Sequence, residues 1–262
     1  MDAPTPRQWR ALARSSPYRW RTLVCTVTWR GWPGDRQQPV RAWVRRPDAL
    51  RVETLDGRLV QRSWVTRLSD VAVRPLAANA PPPRLDADGL VAQRPDDFAV
   101  DFDDPMFRDY HWVAMLDPYE LADGPRRTAE RDAVELDSLG AVRHHGRPAW
   151  EAVVRPTAHY DPRCSCCPLL YSAQSDAHEV EAGAPPPDPT PVYADAHRVV
   201  LDVQTAVCVL SEELGGDRAG RGHDVAVESV DEVLPDHLFG PHRVERDRSR
   251  GFLTRRRGRF GR

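Results

Sequence analysis

The sequence predicts an α+β fold in which one helix is followed by antiparallel sheet, a helical insertion and further sheet. Two observations support this fold class. Short runs that alternate apolar and polar residues recur along the 262 residues, and turn signals separate them. The regular alternation of strands and helices that a parallel sheet requires is missing from the sequence, as is any internal repeat.

A short helix is predicted at the start of the chain. Thr5 can cap its first turn, and Pro6 suits the first helical position. Trp9 and Leu12 then fall on one face of the helix, and Pro17 ends it.

Antiparallel strands are predicted for the next part of the chain. The run "RTLVCTVTWRGW" alternates, and one face of its strand collects four residues, namely Leu23, Cys25, Val27 and Trp29. The following run, up to residue 75, contains Asp56-Gly57, which fits a tight hairpin turn between paired strands. These segments together predict a meander of antiparallel strands.

The middle of the chain changes character. A proline-rich connector, "NAPPPRLDADG", leads into "DFDDPMFRDYHWVAMLDPYELAD". There Asp104 before Pro105 predicts the start of a helix, and apolar residues follow at helical spacing. Pro118 interrupts the pattern, so one or two short amphipathic helices are predicted across residues 104–122.

Strands return in the second half. A hairpin with a solvated turn is predicted from His144 to Arg147, where a turn is favoured over a pair of ligands. A second hairpin turns at Gln204-Thr205, and "GHDVAVESVDEVLPDHLF" forms the last strand. A single domain is therefore predicted over residues 1–241, followed by a flexible arginine-rich tail over residues 242–262.

Composition and charge limit the possible function classes. Hydrophobic residues make up 40% of the chain, which is ordinary for a protein with a core, and every basic residue is arginine. The net charge of -2 gives no reason to expect a nucleic-acid partner. The first residues lack the apolar region of a secretory signal, and no run is long enough to span a membrane. A cytoplasmic location without a membrane span is therefore predicted.

Three stretches carry a resemblance to a known superfamily. The first, "VRAWVRRPDALRVETLDGRLV", is similar to an early strand, tight turn and strand. The second, "HRVVLDVQTAVCVLSEEL", is similar to a later hairpin, and "AVESVDEVLPDHLF" is similar to a terminal strand with a leucine-proline exit. In this order they resemble the lipoprotein-carrier-like superfamily, whose fold is shared by the outer-membrane lipoprotein carrier LolA and the sigma-E regulator RseB.

The resemblance implies a strongly curved, half-open antiparallel sheet, an incomplete barrel, with helices packed on its concave face. Members of this superfamily hold acyl chains in the enclosed cavity or contact protein partners. The chain is therefore expected to be a non-enzymatic binding protein for a hydrophobic small molecule or a protein partner. Burial of each methylene of an acyl chain would contribute about 0.8 kcal/mol, so a fitted cavity needs no strong polar anchor.

Six aromatic or apolar side chains are the candidate ligand-binding residues. Four lie in the helical insertion, whose broad apolar surface could cover a cavity or simply pack in the core. The other two are tryptophans of the early strands. The six are Trp29, Trp43, Phe107, Tyr110, Trp112 and Met115.

Three of the five cysteines fall within the segment "HYDPRCSCCPLLY". Cys164, Cys166 and Cys167, together with His159, offer the four sulfur and nitrogen donors of a tetrahedral zinc ion, the one candidate cofactor. Adjacent cysteines point apart in an extended chain, so all three can bind one ion only in a tightly turned loop. Arg163 could also lower the pKa of a neighbouring thiol.

Other roles stay open for this segment. Unligated loop thiols, a disulfide or redox role, and a nucleophilic Cys164 with His159 as base and Asp161 as orienting group all fit the residues present. A metal-binding or thiol-redox function is therefore the alternative to ligand binding. Outside the segment, Cys25 and Cys208 are predicted to pack in the core as small apolar residues.

Overall fold

The computed structural model of the protein describes residues 2–34, 38–68, 82–95, 104–123, 132–240 and 243–246. Within these ranges the chain combines helices with a large sheet, so the predicted α+β class is confirmed. The helices are α1 (Pro6–Ser15), α2 (Tyr110–Leu116) and α3 (Ala173–Glu181). Single turns of 3-10 helix lie at Ser16–Tyr18, Tyr119–Leu121 and Asp236–Leu238.

The strands of the first half are β1 (Thr22–Arg30), β2 (Val40–Arg45), β3 (Ala49–Thr54), β4 (Leu59–Leu68), β5 (Arg84–Leu85) and β6 (Val91–Gln93). Those of the second half are β7 (Val134–His144), β8 (Arg147–Pro156), β9 (Ala196–Asp202), β10 (Cys208–Leu214), β11 (Gly222–Val230) and β12 (Arg243–Arg246). Among the described strands, the short β5 and β6 pair only with each other.

The other strands form one sheet that is antiparallel at every ladder but one. Its order is β12-β4-β3-β2-β1-β11-β10-β9-β8-β7, and β12 alone pairs parallel, with β4. Strands β7 and β12 are its two edges, so the described strands do not close into a barrel. The three predicted hairpins are confirmed by the β3–β4, β7–β8 and β9–β10 pairs.

Local sequence explains where α1 begins and ends. Thr5 Oγ1 accepts a hydrogen bond from Gln8 N, and Gln8 Oε1 accepts one from Thr5 N, which together make a capping box. Trp9 and Leu12 are fully buried in the core. Pro17 lies in the 3-10 turn that follows the helix, so the predicted helix is confirmed at both ends.

The main core lies between one face of the sheet and the helices α1 and α2. Alternate residues of β1 face this core, as predicted: Leu23, Cys25, Val27 and Trp29. The Trp29 ring centroid lies 6.5 Å from that of Trp112 in α2 and 6.1 Å from that of Phe107 just before the helix. That this face is concave and that the sheet is strongly curved stay predictions.

The predicted start of the helical insertion at Asp104 is wrong. Asp104 is buried and forms a two-pronged ion pair with Arg46, with N–O distances of 2.7 and 2.8 Å. The helix α2 instead begins at Tyr110, because Asp109 accepts a hydrogen bond from His111 N and caps it. A capping side chain has to be free to turn back on its own helix, and the ion pair prevents this at Asp104.

Two further segments differ from the sequence-based expectation. The helix α3 was not predicted, although Ser172 and Ser175 exchange the hydrogen bonds of a capping box at its start. At the other end of the chain, Arg243–Arg246 form β12 beside β4. The remainder of the predicted arginine-rich tail lies outside the described residues, and the domain boundary at residue 241 stays a prediction.

Candidate functional site

The cysteine segment connects β8 to α3, and within it a turn at residues 165–166, followed by a bend at 167, brings Cys164, Cys166 and Cys167 together. Cys164 Sγ lies 2.9 Å from Cys166 Sγ, which lies 3.7 Å from Cys167 Sγ, and the three sulfurs lie within 4.8 Å of one another. All three are free thiols, since even the shortest separation is well beyond a disulfide bond of about 2.05 Å. The structure therefore has the tightly turned loop that shared coordination requires.

A buried carboxylate holds both ends of the cysteine segment. Glu120 is fully buried, and its Oε2 accepts a hydrogen bond of 3.0 Å from Arg163 N. Its Oε1 accepts one of 3.0 Å from Leu169 N and one of 2.6 Å from the Tyr160 hydroxyl. Burial raises the pKa of Glu120, while these three hydrogen bonds act in the opposite direction. Because the two backbone donors flank the cysteines, Glu120 fixes the span of the loop.

Glu120→Gln is expected to release this loop at one end. The amide oxygen of the glutamine can still accept hydrogen bonds from Leu169 N and the Tyr160 hydroxyl. The amide nitrogen cannot accept one, so the backbone N–H of Arg163 is left without an acceptor. The free energy of unfolding, measured with urea, should fall by about 1–3 kcal/mol. Glu181→Gln makes the same exchange where the side chain is 79% exposed, so it is the matched control and should change stability by no more than about 0.5 kcal/mol. A Glu120→Gln protein as stable as the wild type would show that the loop does not depend on this residue.

A buried ion cluster includes Arg163, which directly precedes the first cysteine of the segment. Asp117 Oδ2 accepts hydrogen bonds of 3.0 Å from Arg94 Nη1 and from Arg163 Nη2, and Asp117 Oδ1 accepts one from Arg94 Nη2. The three side chains are at most 7% exposed. Burial opposes ionisation of Asp117, but the two arginines outweigh it and hold its pKa below the usual value. The ion pair with Asp117 therefore holds Arg163, the residue directly before Cys164, in a fixed position.

The prediction that Arg163 would favour a thiolate is wrong. Its guanidinium pairs with Asp117 and lies 4.9 Å from the ring centroid of Tyr119. Its positive charge is therefore neutralised by Asp117 and does not stabilise a thiolate. Burial, together with a hydrogen bond to Cys164, raises the pKa of Cys167 to about 12. The hydrogen bond to Cys164, together with partial burial, also raises the pKa of Cys166. At neutral pH these two are therefore protonated thiols.

A small pocket of about 50 Å³ opens beside the cysteines. Cys166 and Cys167 line it, as do His197 and Glu213, which oppose each other on β9 and β10. Burial lowers the pKa of His197 to about 4 and raises the pKa of Glu213 to about 7, the latter against the charges of nearby arginines. The pocket therefore combines thiols with a neutral imidazole and a carboxyl group that titrates near neutrality.

Two buried histidines tie the cysteine segment to the sheet. His111 Nδ1 lies 2.8 Å from Pro168 O, and its Nε2 lies 3.0 Å from His223 Nδ1. His223 Nδ1 also lies 3.0 Å from Ser211 Oγ, and its Nε2 lies 2.8 Å from Cys208 O. The network thus links α2, the end of the cysteine turn, β10 and β11.

Acid is expected to destabilise the fold through its buried histidines. Burial lowers the pKa of His197 to about 4 and that of His223 to about 3, against about 6.5 in an unfolded chain. The folded state favours the neutral rings, so this stabilisation is complete above about pH 6.5 and is lost as the pH falls towards about 4. Each ring should contribute a loss of roughly 2 kcal/mol between pH 7 and pH 5.

Urea unfolding of His197→Leu at the two pH values tests this expectation. The variant should lose roughly 2 kcal/mol less than the wild type on going from pH 7 to pH 5. His237→Ala, at an exposed position in the last 3-10 turn, is the control and should follow the wild type. Identical pH dependence in His197→Leu and the wild type would contradict the role given to this ring.

The candidate ligand-binding residues of the helical insertion pack against other side chains in the core instead of lining an open cavity. Phe107, Trp112 and Met115 are at most 3% exposed and pack with Trp29, itself 7% exposed, in the main core. A side chain that lines a ligand-sized cavity would keep surface open to that cavity. Tyr110, at the start of α2, is partly buried against the same core.

Trp43 is separated from the other candidate residues by the sheet. Its neighbours in β2, Ala42 and Val44, face the main core, so Trp43 points to the opposite face. There it packs near Phe239, and the Arg41 guanidinium lies 5.0 Å from its ring centroid. The structure therefore does not bring Trp43 together with the other five residues.

His159, the predicted fourth metal ligand, does not join the sulfurs. Its backbone N donates a hydrogen bond of 3.0 Å to Thr157 Oγ1, and the compact group of donor atoms found among the described residues contains the three cysteines without it. Cys25 and Cys208 are fully buried, which confirms their predicted place in the core.

Comparisons with known proteins add no relative: no family model, no curated protein and no solved structure matches this chain. The resemblance to the lipoprotein carriers therefore stays a prediction. Across the described residues, no helix has both the length and the apolar character needed to cross a membrane. Function has to be argued from the geometry of the site.

Proposed function

We propose that the protein binds one soft divalent cation, with zinc as the best candidate, through Cys164, Cys166 and Cys167. One observation carries the proposal: three sulfur atoms from a single turn lie within 4.8 Å of one another. Thiolate ligands select zinc and related soft ions over hard cations such as magnesium and calcium. The proposal includes the expected cytoplasmic location, because free thiols persist in a reducing compartment.

The separations of the sulfurs are close to those that zinc requires. With Zn–S bonds of about 2.3 Å, two sulfurs of a tetrahedral site lie about 3.8 Å apart. The separation of 3.7 Å between Cys166 and Cys167 meets this value, and that of 2.9 Å between Cys164 and Cys166 has to widen. Cys166 is exposed, so a rotation of its side chain meets little resistance.

A cation at this turn would keep one coordination position for a ligand from outside the turn. Cys166 and Cys167 also line the pocket, so this position faces the pocket or the solvent. His111 lines the pocket as well, but its two ring nitrogens already contact Pro168 O and His223. His197 and Glu213 also line the pocket, but neither belongs to the compact group of donor atoms. A water or small molecule would therefore complete the tetrahedron, as in zinc sites with an open position.

Zinc affinity is expected to rise steeply with pH. The pKa of Cys167 is raised to about 12 and that of Cys166 is also raised, so each thiol must lose its proton when zinc binds. Release of two or three protons should increase the apparent affinity by roughly 100- to 1000-fold per pH unit. Calorimetry in buffers of different ionisation enthalpy counts these protons, and an affinity that does not change with pH would contradict thiolate ligation.

Metal analysis and thiol titration test the proposed function directly. The purified chain should carry zinc at the cysteine turn, and the three clustered thiols should be protected from a thiol reagent until a chelator is added. A native mass lower by two hydrogens, with no metal, would support the thiol-redox alternative instead. Three freely titrating thiols in the presence of excess zinc would contradict the metal site.

A second candidate is a non-enzymatic binding protein in which a curved, lipoprotein-carrier-like sheet holds a hydrophobic molecule or protein partner. One contact favours it: His145, at the end of the β7–β8 hairpin, reaches Asp224 of β11 at 2.6 Å across β9 and β10. Neighbouring strands lie about 4.8 Å apart, so a flat sheet could not make this contact, which supports the proposed curvature. Asp224 follows His223, which contacts His111 of α2, so the contact lies on the face of the sheet away from α2 and supports a bend towards that face.

Native mass spectrometry of freshly purified protein separates this candidate from the metal site. Ligand entry would require α2 to move away from Trp29, because the aromatic side chains now pack together. A retained hydrophobic molecule in the mass spectrum would support the candidate. A chain mass with zinc alone would contradict the small-ligand version.

A further inference from the structure

A second group of metal-ligating side chains lies outside the cysteine segment, at the end of the β7–β8 hairpin. His144 ends β7 and His145 begins the turn, and both reach Asp224 of β11. His145 Nε2 lies 2.6 Å and His144 Nε2 lies 3.2 Å from Asp224 Oδ1. The three donor atoms lie within 4.8 Å of one another.

The backbone of the turn explains why two adjacent histidines act on the same side. His145 has φ +46° and Gly146 has φ +79°, as a two-residue type I′ hairpin turn requires. In an extended strand, consecutive side chains point to opposite faces. The left-handed conformation at His145 instead places its ring beside that of His144, with centroids 4.5 Å apart.

The surroundings of Asp224 leave one of its carboxylate oxygens for the histidines. The side chains of His144 and Asp224 are only 14% and 13% exposed, so these two donors are largely shielded from solvent. Arg30 Nη2 donates to Asp224 Oδ2 at 2.5 Å, which leaves Oδ1 towards the histidines.

We propose that His144 Nε2, His145 Nε2 and Asp224 Oδ1 bind a divalent transition-metal ion such as Ni²⁺, Co²⁺ or Zn²⁺. With metal–ligand bonds of about 2.0–2.1 Å, neighbouring ligand atoms of a tetrahedral site lie about 3.3 Å apart. The separation of 3.2 Å between His144 Nε2 and Asp224 Oδ1 fits this value. The separation of 2.6 Å between His145 Nε2 and Asp224 Oδ1 has to increase when an ion binds. This site does not depend on the cysteine site.

The ligand set defines the kind of ion and its access. Two imidazoles and one carboxylate favour first-row transition metals over magnesium and calcium, and they lack the thiolates that the softest ions prefer. The His145 side chain is 46% exposed, so an ion can enter from solvent. At least one coordination position stays open to water or an external ligand. A bound ion would also link the hairpin to β11.

Calorimetric titration with Ni²⁺ tests this site, using the full chain without a histidine tag and with all three clustered cysteines replaced by serine. One Ni²⁺ should bind per chain. His144→Ala and Asp224→Asn should each weaken binding at least about 10-fold, since changing even a group that only supports a metal ligand costs about 10- to 100-fold. His145→Asn should do the same while preserving the turn, because asparagine tolerates the left-handed conformation. His178→Ala, on α3 and outside the group, should leave the affinity unchanged.

Absence of Ni²⁺ binding to the triple-serine chain would overturn the proposal, as would unchanged affinity in His144→Ala and Asp224→Asn. The cluster would then be an ion pair that tethers the hairpin and nothing more. If circular dichroism shows that the triple-serine chain is unfolded, the wild-type chain is titrated instead. His144→Ala must then lower the number of bound Ni²⁺ ions by one, and an unchanged number overturns the proposal.

Discussion

Asp117→Ala is expected to lower the free energy of unfolding by about 3–5 kcal/mol, the usual loss when one partner of a buried ion pair is removed. Asp117 is the shared partner of Arg94 and Arg163, whose side chains are 1% and 7% exposed. Its removal would leave two guanidinium groups in the interior without their carboxylate. Urea unfolding followed by tryptophan fluorescence measures the loss.

The effect of Asp117→Ala should extend to the cysteine turn, because Arg163 directly precedes Cys164. We therefore expect weaker zinc binding in this variant as well as lower stability. Asp132→Ala is the matched control, because Asp132 also pairs with an arginine but its side chain is 57% exposed. That control should lose no more than about 1 kcal/mol. Equal losses in the two variants would contradict an anchoring role for the buried cluster.

Cys166→Ser is expected to weaken zinc binding by about 100-fold or more, because a serine hydroxyl stays protonated at neutral pH and is a harder ligand than thiolate. Stability without metal should hardly change, since Cys166 is exposed. Competition with a chromophoric chelator measures the affinity. Ser165→Ala removes a hydroxyl from the same turn and leaves all three sulfurs, so it should bind zinc like the wild type. Unchanged zinc affinity in Cys166→Ser would contradict its place as a ligand.

Local signals explain which parts of the fold the sequence could predict. The Thr5 cap, the alternation along β1 and the tight turn at Asp56-Gly57 each act over a few residues, and each is found as predicted. The predicted start of the helix at Asp104 was wrong because a long-range contact, not a local signal, determines the role of this residue. Asp104 has the residue type of a helix cap, but its ion pair with Arg46 joins residues 58 positions apart, and no local pattern encodes such a contact.

The same distinction applies to the candidate sites. The three cysteines are close in the sequence, so their cluster was visible before the structure. Glu120, which holds the ends of their loop, was not, because an acidic residue in a helical run is ordinarily exposed. The hairpin histidines were predicted as a solvated turn, and the turn is present. Their contact with Asp224 depends on how the hairpin crosses the sheet, which the sequence does not reveal.

Cobalt substitution tests most directly whether three thiolates of one turn bind the same cation. Thiolate-to-cobalt charge-transfer absorption grows with the number of sulfur ligands, and the visible bands report tetrahedral geometry. We expect one Co²⁺ per chain at this site, with the absorption of three thiolates, released by one equivalent of Zn²⁺ and reduced in Cys166→Ser. A Co²⁺ titration without charge-transfer absorption, in which the clustered thiols still react freely, would contradict the proposed metal site.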